Sequence, residues 1–323
     1  MLARFLKSKS WMSRFTLRLM MGIAMVAVCA CGDSDDGGGG GDDGGGDGAD
    51  DGGPDGGVGV EEPAEGQFVV LEGVYGEGMY SYGDAHGTIV DPRPVYHRLE
   101  MEAGACRMWS FEIGDCGSCD GVCNADDECI PTPVQLSAGE VTLAGLARDL
   151  TLPFEVYGYY PAAALPEDLF DDGDSIILEA SGGDVPAFSL TAAAPPPIAI
   201  DLLPGSEADD TVLLEDGADM VVTWSPAVAG TRVRLDILSD NRGHGLPVDT
   251  MIQCEADDDG EMVVPRAMVE AFPAKPYANV CAGSDCPPST LTRFRADRAP
   301  IGEREVELLV GSRVQFIVVH EPG

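Results

Sequence analysis

The cysteine run CGSCDGVCNADDEC is the stretch of the sequence whose residue types most suggest chemistry. It places Cys116, Cys119, Cys123 and Cys129 within fourteen residues. Such a cluster could bind zinc, carry a redox-active pair or form disulfide bonds. Zinc sites favour two Cys-x-x-Cys pairs separated by a longer loop, whereas this run has one such pair and crowded spacings. A redox pair favours a strand-to-helix turn, whereas this pair lies among Gly and Asp. The choice depends on the compartment in which the chain folds.

Two acidic stretches could bind calcium, because carboxylate oxygens are ligands that calcium takes. The stretch Glu255–Gly260 begins like an EF-hand loop, but its twelfth position is Arg266, where that loop carries a glutamate. The sequence therefore favours turns at both places and predicts no metal and no cofactor. If calcium does bind, the candidate ligands are Asp257, Asp259, Asp172 and Asp174.

The sequence contains none of the short motifs that would indicate a catalytic site. It has no H-E-x-x-H pattern, no G-x-S-x-G pattern and no phosphate-loop lysine. None of the four histidines, which include His244 and His320, lies in such a motif. One aromatic-rich stretch could stack sugar rings, although half-buried strand aromatics and surface histidines are the simpler interpretation; it contains Tyr80, Tyr82, His86, Tyr96 and His97.

The first 30 residues have the organisation of an export signal. Five basic residues and no acidic residue precede an uncharged, mostly apolar run from Leu19 to Ala30. This run is shorter than the roughly twenty residues that cross a bilayer, and it ends in small residues, as secretory signals do. The stretch Val28-Cys29-Ala30-Cys31-Gly32 resembles the lipobox of bacterial lipoproteins. The resemblance implies acylation of Cys31 and a lipid anchor in the cell envelope, at the periplasmic or surface face of the outer membrane. An ordinary secretory signal is the alternative.

Export would place the remaining eight cysteines in an oxidising compartment, where disulfide bonds form and persist. We expect Cys281 and Cys286 to close a local loop, which leaves six cysteines that can pair in fifteen ways. A bond from the first cysteine cluster to Cys254 would join the two halves of the folded part. The run 116–129 resembles the small cysteine-rich loops of EGF-like modules. The cysteines predicted to form disulfides are Cys106, Cys116, Cys119, Cys123, Cys129, Cys254, Cys281 and Cys286.

Residues 31–66 are mostly Gly and Asp, with twelve acidic residues and no basic residue. Such a stretch has too little apolar surface to offset the entropy lost on ordering. We therefore expect a disordered tether that spans roughly 30 Å. The whole chain has a net charge of −37. This charge argues against nucleic acid as a partner, because phosphates require basic patches.

Residues 67–323 alternate apolar and polar side chains with a period of two, which indicates β-strands. In TRVRLDIL, for example, the apolar residues Val233, Leu235 and Ile237 share one face. Gly311-Ser312 and Asp216-Gly217 predict two hairpins, and the one helix is predicted over Pro265–Phe272, with Pro265 at its first position. The fold class is therefore predicted to be all-β, with antiparallel β-sandwiches. Further strands are predicted in EVTLAGL, LTLPFEV, SIILEA, AFSLTA and PIAIDLL.

A domain boundary is predicted near Pro204, after the three prolines at 195–197. It divides the folded part into a β-sandwich over 67–204, with the cysteine-rich insertion 116–129, and a second sandwich over 205–323. The stretch VVTWSPAVAGTRVRLDIL resembles immunoglobulin-like and fibronectin type III modules, with Trp224 as the core aromatic. The resemblance implies an immunoglobulin-like C-terminal domain.

Together these features favour a lipid-anchored cell-envelope protein that acts as a binding or structural module and not as an enzyme. Its expected partners are the membrane, through the acylated Cys31, and a glycan or protein at the cell surface. The alternative is a surface-anchored hydrolase that acts on polysaccharide. Acidic residues that could serve as paired catalytic carboxylates are abundant, and their separation cannot be deduced from a sequence.

Overall fold

The computed structural model describes residues 64–75, 80–202, 211–240, 246–275 and 287–320. The predicted signal 1–30, Cys31 and all but the last three residues of the predicted tether lie outside these ranges. Ala64 is buried and the first strand begins at Gly66. The fold therefore takes in the end of the stretch that the sequence predicted as tether.

The described residues form strands almost throughout, which confirms the all-β class. LTLPFEV is divided into two strands at Pro153, because proline has no N–H to donate. The first strands are β1 (Gly66–Tyr75), β2 (Tyr80–Asp91), β3 (Arg98–Ala103), β4 (Cys106–Ser110), β5 (Gly121–Cys123), β6 (Cys129–Pro131), β7 (Val134–Gln135), β8 (Val141–Ala144), β9 (Leu150–Leu152), β10 (Phe154–Glu155) and β11 (Gly158–Tyr159). The later strands are β12 (Ser175–Ala180), β13 (Phe188–Ala193), β14 (Ala199–Leu202), β15 (Thr211–Leu214), β16 (Met220–Ser225), β17 (Arg232–Leu238), β18 (Thr250–Asp257), β19 (Glu261–Val264), β20 (Ser289–Ile301) and β21 (Arg304–His320).

A short helix, α1 (Arg266–Ala271), follows β19. It confirms the helix predicted over this stretch, but Pro265 is its N-cap and not its first helical residue. Its buried side chains are Met268 and Val269. The helix therefore covers one side of a core that is otherwise built by strands.

The strands assemble into one large sheet and three smaller ones. The large sheet has the order β10-β11-β2-β1-β21-β20-β17-β18-β4-β3, with β15 also paired to β21 and β7 also paired to β2. The smaller sheets are β13-β12-β8-β9, β14-β16-β19 and β5-β6. Two pairings are parallel, β1 with β21 and β15 with β21. Every other pair among the described strands is antiparallel, as expected.

The first core lies between the four-stranded sheet and the β2-β1-β21 part of the large sheet. Alternate residues of each strand point into it, so that Phe68 and Val70 of β1 meet Ile176 and Leu178 of β12 in one buried cluster. This is the period-two pattern that indicated strands in the sequence. The core also includes Tyr159, which is fully buried beside Phe68, with ring centroids 5.5 Å apart.

The second core lies between the three-stranded sheet with α1 and the β17, β18 and β20 strands of the large sheet. Val233, Leu235 and Ile237 are fully buried there, which confirms the alternation predicted for TRVRLDIL. Trp224 of β16 is also buried in this core, as predicted. Both cores recruit residues from far along the chain: Val306, Leu308 and Val310 join the first, while Cys106 and Met108 join the second. The division at Pro204 and the immunoglobulin-like topology stay predictions.

The hairpin predicted at Gly311-Ser312 is wrong, because β21 runs through both residues as one strand of 17 residues. Gly311 allows close packing at this point of the strand and does not form a turn. A Cβ on Gly311 would lie 2.8 Å from the carbonyl oxygen of Arg293 and 2.9 Å from Cδ2 of Leu71. The Ser312 hydroxyl accepts a hydrogen bond from the Ile198 N–H at 3.1 Å. The hairpin turn lies instead between Ile301 and Arg304, with Gly302 in the left-handed region.

The hairpin predicted at Asp216-Gly217 is also wrong, although the chain does turn there. Gly217 has a φ of 91°, a conformation that glycine adopts without strain. The strands on its two sides do not pair with each other, since β15 joins β21 of the large sheet and β16 joins the three-stranded sheet. The turn therefore carries the chain from one layer of the second core to the other.

A buried ion pair joins these two layers. Arg293 of β20 is fully buried, and its Nε donates to Oδ2 of Asp258 at 2.6 Å. Asp258 follows β18 and also accepts hydrogen bonds from Nε1 of Trp224 at 2.6 Å and from the hydroxyl of Thr231 at 2.7 Å. The other guanidinium nitrogens of Arg293 donate to the carbonyl oxygens of Pro196, Pro197 and Pro226. Each buried charge thus has several partners, which is the condition under which burial of an ion pair is tolerated.

Three disulfide bonds are present among the described residues. Cys116–Cys123 and Cys119–Cys129 interleave within the exposed loop, and Cys106–Cys254 joins opposite residues of β4 and β18. Cys254 therefore pairs with Cys106, and the four clustered cysteines close on each other. The expected bond from the cluster to Cys254 was wrong because interleaved pairing already satisfies all four clustered cysteines. Cys281 and Cys286 lie outside the described residues.

Replacing Cys106 and Cys254 together by alanine is expected to lower the free energy of unfolding by about 3–5 kcal/mol, because a disulfide that closes a long loop restricts the unfolded chain most. The bond spans 148 residues and lies in the second core. Urea unfolding of the oxidised protein measures the change. The double variant Cys116→Ala/Cys123→Ala is the control, since its bond spans seven residues, and about 2 kcal/mol is expected. Equal losses in the two variants would contradict the prediction.

Candidate functional site

The side of the large sheet that faces away from both cores is rich in charged and polar residues, and we call it the polar face. It follows from strand alternation: where Val233, Leu235 and Ile237 point into the core, the residues between them point outward. The cross-strand register places the outward residues of neighbouring strands in rows. The polar face includes Tyr82, Asp84, His86, Gln67, Glu307, Arg298, Thr292, Arg313, Arg232, Arg234, Asp236, Gln253, Glu255 and Arg107.

Most charges on this face are paired with one another. Glu255 is almost completely buried between Arg232 and Arg234, with N···O distances of 2.8 Å to each. Arg234 also lies over the ring of Phe294, 5.1 Å from its centroid. Burial would lower the pKa of Arg234, but the negative charges of Glu255 and Asp236 outweigh it, and the pKa is raised. This arginine is therefore held charged and in place, and its bonding capacity is used within the sheet.

A second set of paired charges lies nearer the N-terminal end of β21. Glu307 accepts hydrogen bonds from Gln67 at 2.7 Å and from Arg298 at 3.1 Å. Like Glu255, Glu307 is almost completely buried. At the far side of the sheet, Arg107 pairs with Glu102 at 3.1 Å. These ion pairs leave little of the polar face free to recognise a ligand.

Arg313 of β21 differs from the other arginines of the polar face. Its Nε donates to the hydroxyl of Thr292 at 3.0 Å, and none of the ion pairs among the described residues includes it. The carboxylate whose charge it affects is that of Asp84. The Asp84 carboxylate accepts a hydrogen bond from Nδ1 of His86 at 3.1 Å. Arg313 is thus a partly exposed guanidinium without a carboxylate partner within ion-pair distance.

Tyr82 stands beside Arg313, and a stacked aromatic pair lies further along β2. Gly73 of β1 lies between Tyr82 and Arg313 in the row, and a Cβ on Gly73 would lie 2.2 Å from Cζ of Tyr82. The ring of Tyr82 therefore lies across β1, where its hydroxyl comes close to Arg313 without a well-formed hydrogen bond. His86 stacks on Tyr160, with ring centroids 6.3 Å apart and ring planes 18° apart. We call Tyr82, Asp84, His86, Tyr160 and Arg313 the Arg313 cluster.

The protonation states of the cluster suit binding better than nucleophilic chemistry. Burial alone would raise the pKa of Asp84, but the hydrogen bond from His86 and the charges of His86 and Arg313 outweigh it, so its pKa is lowered. Burial raises the pKa of Tyr82 and of Tyr160. Both tyrosine hydroxyls are therefore neutral at physiological pH. The cluster offers a carboxylate already bound to His86, two neutral hydroxyls, aromatic rings and one guanidinium.

The structure brings together only part of the aromatic stretch predicted from the sequence. Tyr82 and His86 share the polar face, whereas His97 is buried elsewhere, 5.9 Å from Phe111 between ring centroids. Tyr96 is half-buried, and the side chain of Tyr80 lies outside the described residues. Sequence reasoning missed Tyr160 and Arg313, because nothing along the chain indicates that Tyr160 stacks on His86 or that Arg313 reaches Tyr82 across β1.

The other predicted residues have structural surroundings. His320 is fully buried, with Nε2 3.2 Å from Oδ1 of Asp216 and Nδ1 3.2 Å from the carbonyl oxygen of Pro273. His244 lies outside the described residues. Of the four calcium candidates, Asp174 and Asp259 accept backbone hydrogen bonds of their own turns. Asp257 ends β18 and Asp172 is exposed in its turn. Within the described ranges, no group of three or more His, Cys, Asp or Glu residues is placed to hold a metal ion.

No protein-family model, curated protein or solved structure matches this chain. The part of the chain that the structure describes also contains no helix of the length and apolarity needed to cross a bilayer. Functional inference therefore depends on the residues themselves.

Protonation of His97 is expected to destabilise the fold at acid pH. Burial lowers its pKa, while its hydrogen bond to the carbonyl oxygen of Val248 and the charge of Asp249 oppose the shift. The unfolded chain, with a histidine pKa of about 6.5, then binds more protons than the folded one just below that pH. The contribution of His97 to stability is therefore complete above about pH 6.5 and is lost as the pH falls through the lowered pKa.

The variant His97→Gln keeps an N–H that can reach Val248 and removes the titration. It is expected to lose less unfolding free energy than the native protein between about pH 7 and pH 5. Urea unfolding across this range measures both slopes. Identical slopes in the two proteins would contradict the prediction.

Proposed function

We propose that the chain is a lipid-anchored protein of the cell envelope that binds an acidic glycan on the polar face of its large sheet. The observation that carries the proposal is the guanidinium of Arg313, which has no carboxylate partner among the described residues and stands beside Tyr82. The same face carries the stacked rings of His86 and Tyr160, next to Asp84. Binding sites combine apolar and aromatic surface with a few well-placed polar groups. The Arg313 cluster has this composition.

An acidic sugar fits the chemistry of the cluster. A guanidinium binds a carboxylate through two parallel hydrogen bonds, which fixes orientation as well as charge. Aromatic rings offer flat apolar surface for the face of a sugar ring, and Nε2 of His86 is a polar atom without a hydrogen-bond partner among the described residues. Buried polar atoms are seldom left without partners in native proteins. A bound ligand close to His86 would account for this one.

The charge of the rest of the molecule makes the cluster selective. The chain has a net charge of −37, so most of its surface repels anions. Binding of an acidic glycan therefore depends on Arg313, whose guanidinium has no carboxylate partner among the described residues of the polar face. Loss of that single charge should remove most of the affinity.

The anchor rests on the lipobox-like stretch before Cys31, and on the disulfide bonds, which are typical of exported proteins. Intact-mass measurement of the protein from a membrane fraction is expected to show cleavage before Cys31 and added acyl chains. The variant Cys31→Ser is expected to lose the acyl mass and to leave the membrane fraction. Unmodified full-length chain in the cytosol would overturn the anchor and the compartment together.

Arg313→Gln is expected to weaken glycan binding at least tenfold, because a hydrogen bond to a charged group contributes about 1.5–3 kcal/mol. The intact mature protein in lipid nanodiscs, applied to an array of neutral and carboxylated glycans and of envelope proteins, measures the effect. Arg107→Gln is the matched control: it removes the same charge from the same face, but from an arginine paired with Glu102, and should bind like the native protein.

Three outcomes would count against this function. Binding that both variants keep would show that the Arg313 cluster is not the site. Binding to envelope proteins on the array, but to no glycan, would show that the partner is a protein and not a glycan. Cleavage of an array glycan, lost in His86→Gln, would favour the surface hydrolase that the sequence left as the alternative.

A further inference from the structure

An apolar tip projects from one end of the large sheet. Phe154, Val156 and Tyr157 in the β10–β11 hairpin expose 40%, 75% and 54% of their surface, and Val134 of β7 exposes 61%. These are four of the eight large apolar side chains that are exposed among the described residues. Single exposed apolar residues are common on protein surfaces, but a group of them marks a contact surface. We call these four residues the apolar tip.

The hairpin that carries the tip is held in shape. The ring of Phe154 lies 5.1 Å from the ring of the buried Tyr159, and the hydroxyl of Tyr160 donates to the carbonyl oxygen of Tyr157 at 3.2 Å. Gly158 lies so close to β2 that a Cβ there would be 2.5 Å from the carbonyl oxygen of Gly87. The apolar side chains are therefore presented by a fixed hairpin, which lowers the entropy lost on contact.

The tip lies at the end of the sheet where the chain arrives from Cys31. Gly66, which begins β1, is opposite Ile89 of β2, and Val134 is opposite Asp91. On the edge of β2 away from β1, which β7 also borders, Tyr159 is opposite Gly87, and the hairpin extends from there towards the Asp91 end. Since β1 and β11 both flank β2, roughly 10 Å separates them. The apolar tip and the start of the fold thus share one end of the sheet.

The geometry points to a second contact with the membrane: the apolar tip inserts at the boundary between lipid headgroups and acyl chains of the bilayer that holds Cys31. This inference rests on the lipid anchor of the proposed function. The tether predicted from the sequence over residues 31–66 would span roughly 30 Å, and a tether of that reach would keep the tip near the bilayer. At the high effective concentration that such a tether gives, weak insertion is enough.

The chemistry of the tip fits lipid. Tyr157 combines an apolar ring with a hydroxyl, the kind of side chain that gathers at the headgroup level of membranes. The tip is a projecting hairpin end and not a groove that could take a peptide. Residues 154–160 contain no base and one acid, Glu155. The partner is therefore a bilayer without net charge, and insertion should be insensitive to salt and weaker in anionic lipid.

The variant Tyr157→Trp in the acylated, full-length mature protein tests this contact. In phosphatidylcholine vesicles the introduced indole is expected to emit at shorter wavelength than in detergent-free buffer, and acyl-chain-brominated lipid is expected to quench at least half of its emission. The native Trp109 and Trp224 are buried and supply a constant background, which the unsubstituted protein measures. Val263→Trp is the matched control, since Val263 is an exposed apolar residue of β19, away from this end. It should be neither shifted nor quenched.

Solvent-like, unquenched emission from position 157 in an acylated sample would overturn the inference, and so would equal quenching at position 263. A change of oligomeric state in Val156→Ser/Tyr157→Ser, measured by sedimentation, would overturn it in favour of contact between two copies. The mass of the same sample reports acylation separately. If Cys31 is not acylated, the anchor fails, while quenching at saturating lipid still decides whether the tip inserts.

Discussion

The buried pair of Arg293 and Asp258 is the interaction on which the second core depends. Taking two charges out of water is costly, and loss of either partner would leave the other charge buried and alone. The pair is tolerated because Trp224, Thr231 and three proline carbonyls complete its hydrogen bonds. These groups come from both layers around the core. The two layers therefore have one mutual position in which every polar group is satisfied, and that position fixes the large sheet as a platform for its polar face.

The polar face is an outcome of the same alternation that builds the cores. Every residue sent inward leaves its neighbours pointing outward, and the outward residues meet their equivalents on the next strand. In an acidic chain, nearly all the arginines that arrive there find carboxylates, as Arg232 and Arg234 find Glu255. Arg313 is the exception because Asp84 is already bound by His86 and Gly73 offers no side chain. A glycine on β1, and not a charged residue, is thus the reason that Arg313 meets no side chain on that neighbouring strand.

Strand content and core alternation could be predicted from the sequence, because a period of two depends only on local order, as Val233, Leu235 and Ile237 illustrate. The positions of turns could be predicted less well from the sequence. Glycine at a turn and glycine at a close approach look alike in a sequence, so Gly311 was misread while Gly302 was missed. Pairing across the chain was beyond local reasoning: Cys106 meets Cys254, Tyr160 meets His86 and Arg313 meets Tyr82 only because the large sheet brings distant strands together. The lipobox-like stretch before Cys31 lies outside the described residues, and the acylation of Cys31 stays a prediction.

The parallel pairing of β1 with β21 decides how the molecule carries mechanical load. If a membrane holds the N-terminus and a ligand holds the polar face, tension enters at Gly66 and acts along β1. Its backbone is bonded on one side to β2 and on the other to β21 over ten residue pairs each. Tension along the strand loads these bonds together, in shear, and does not peel them one at a time. Under that tension, β1 would transmit the force from the attachment to the domain through both of its neighbouring strands at once.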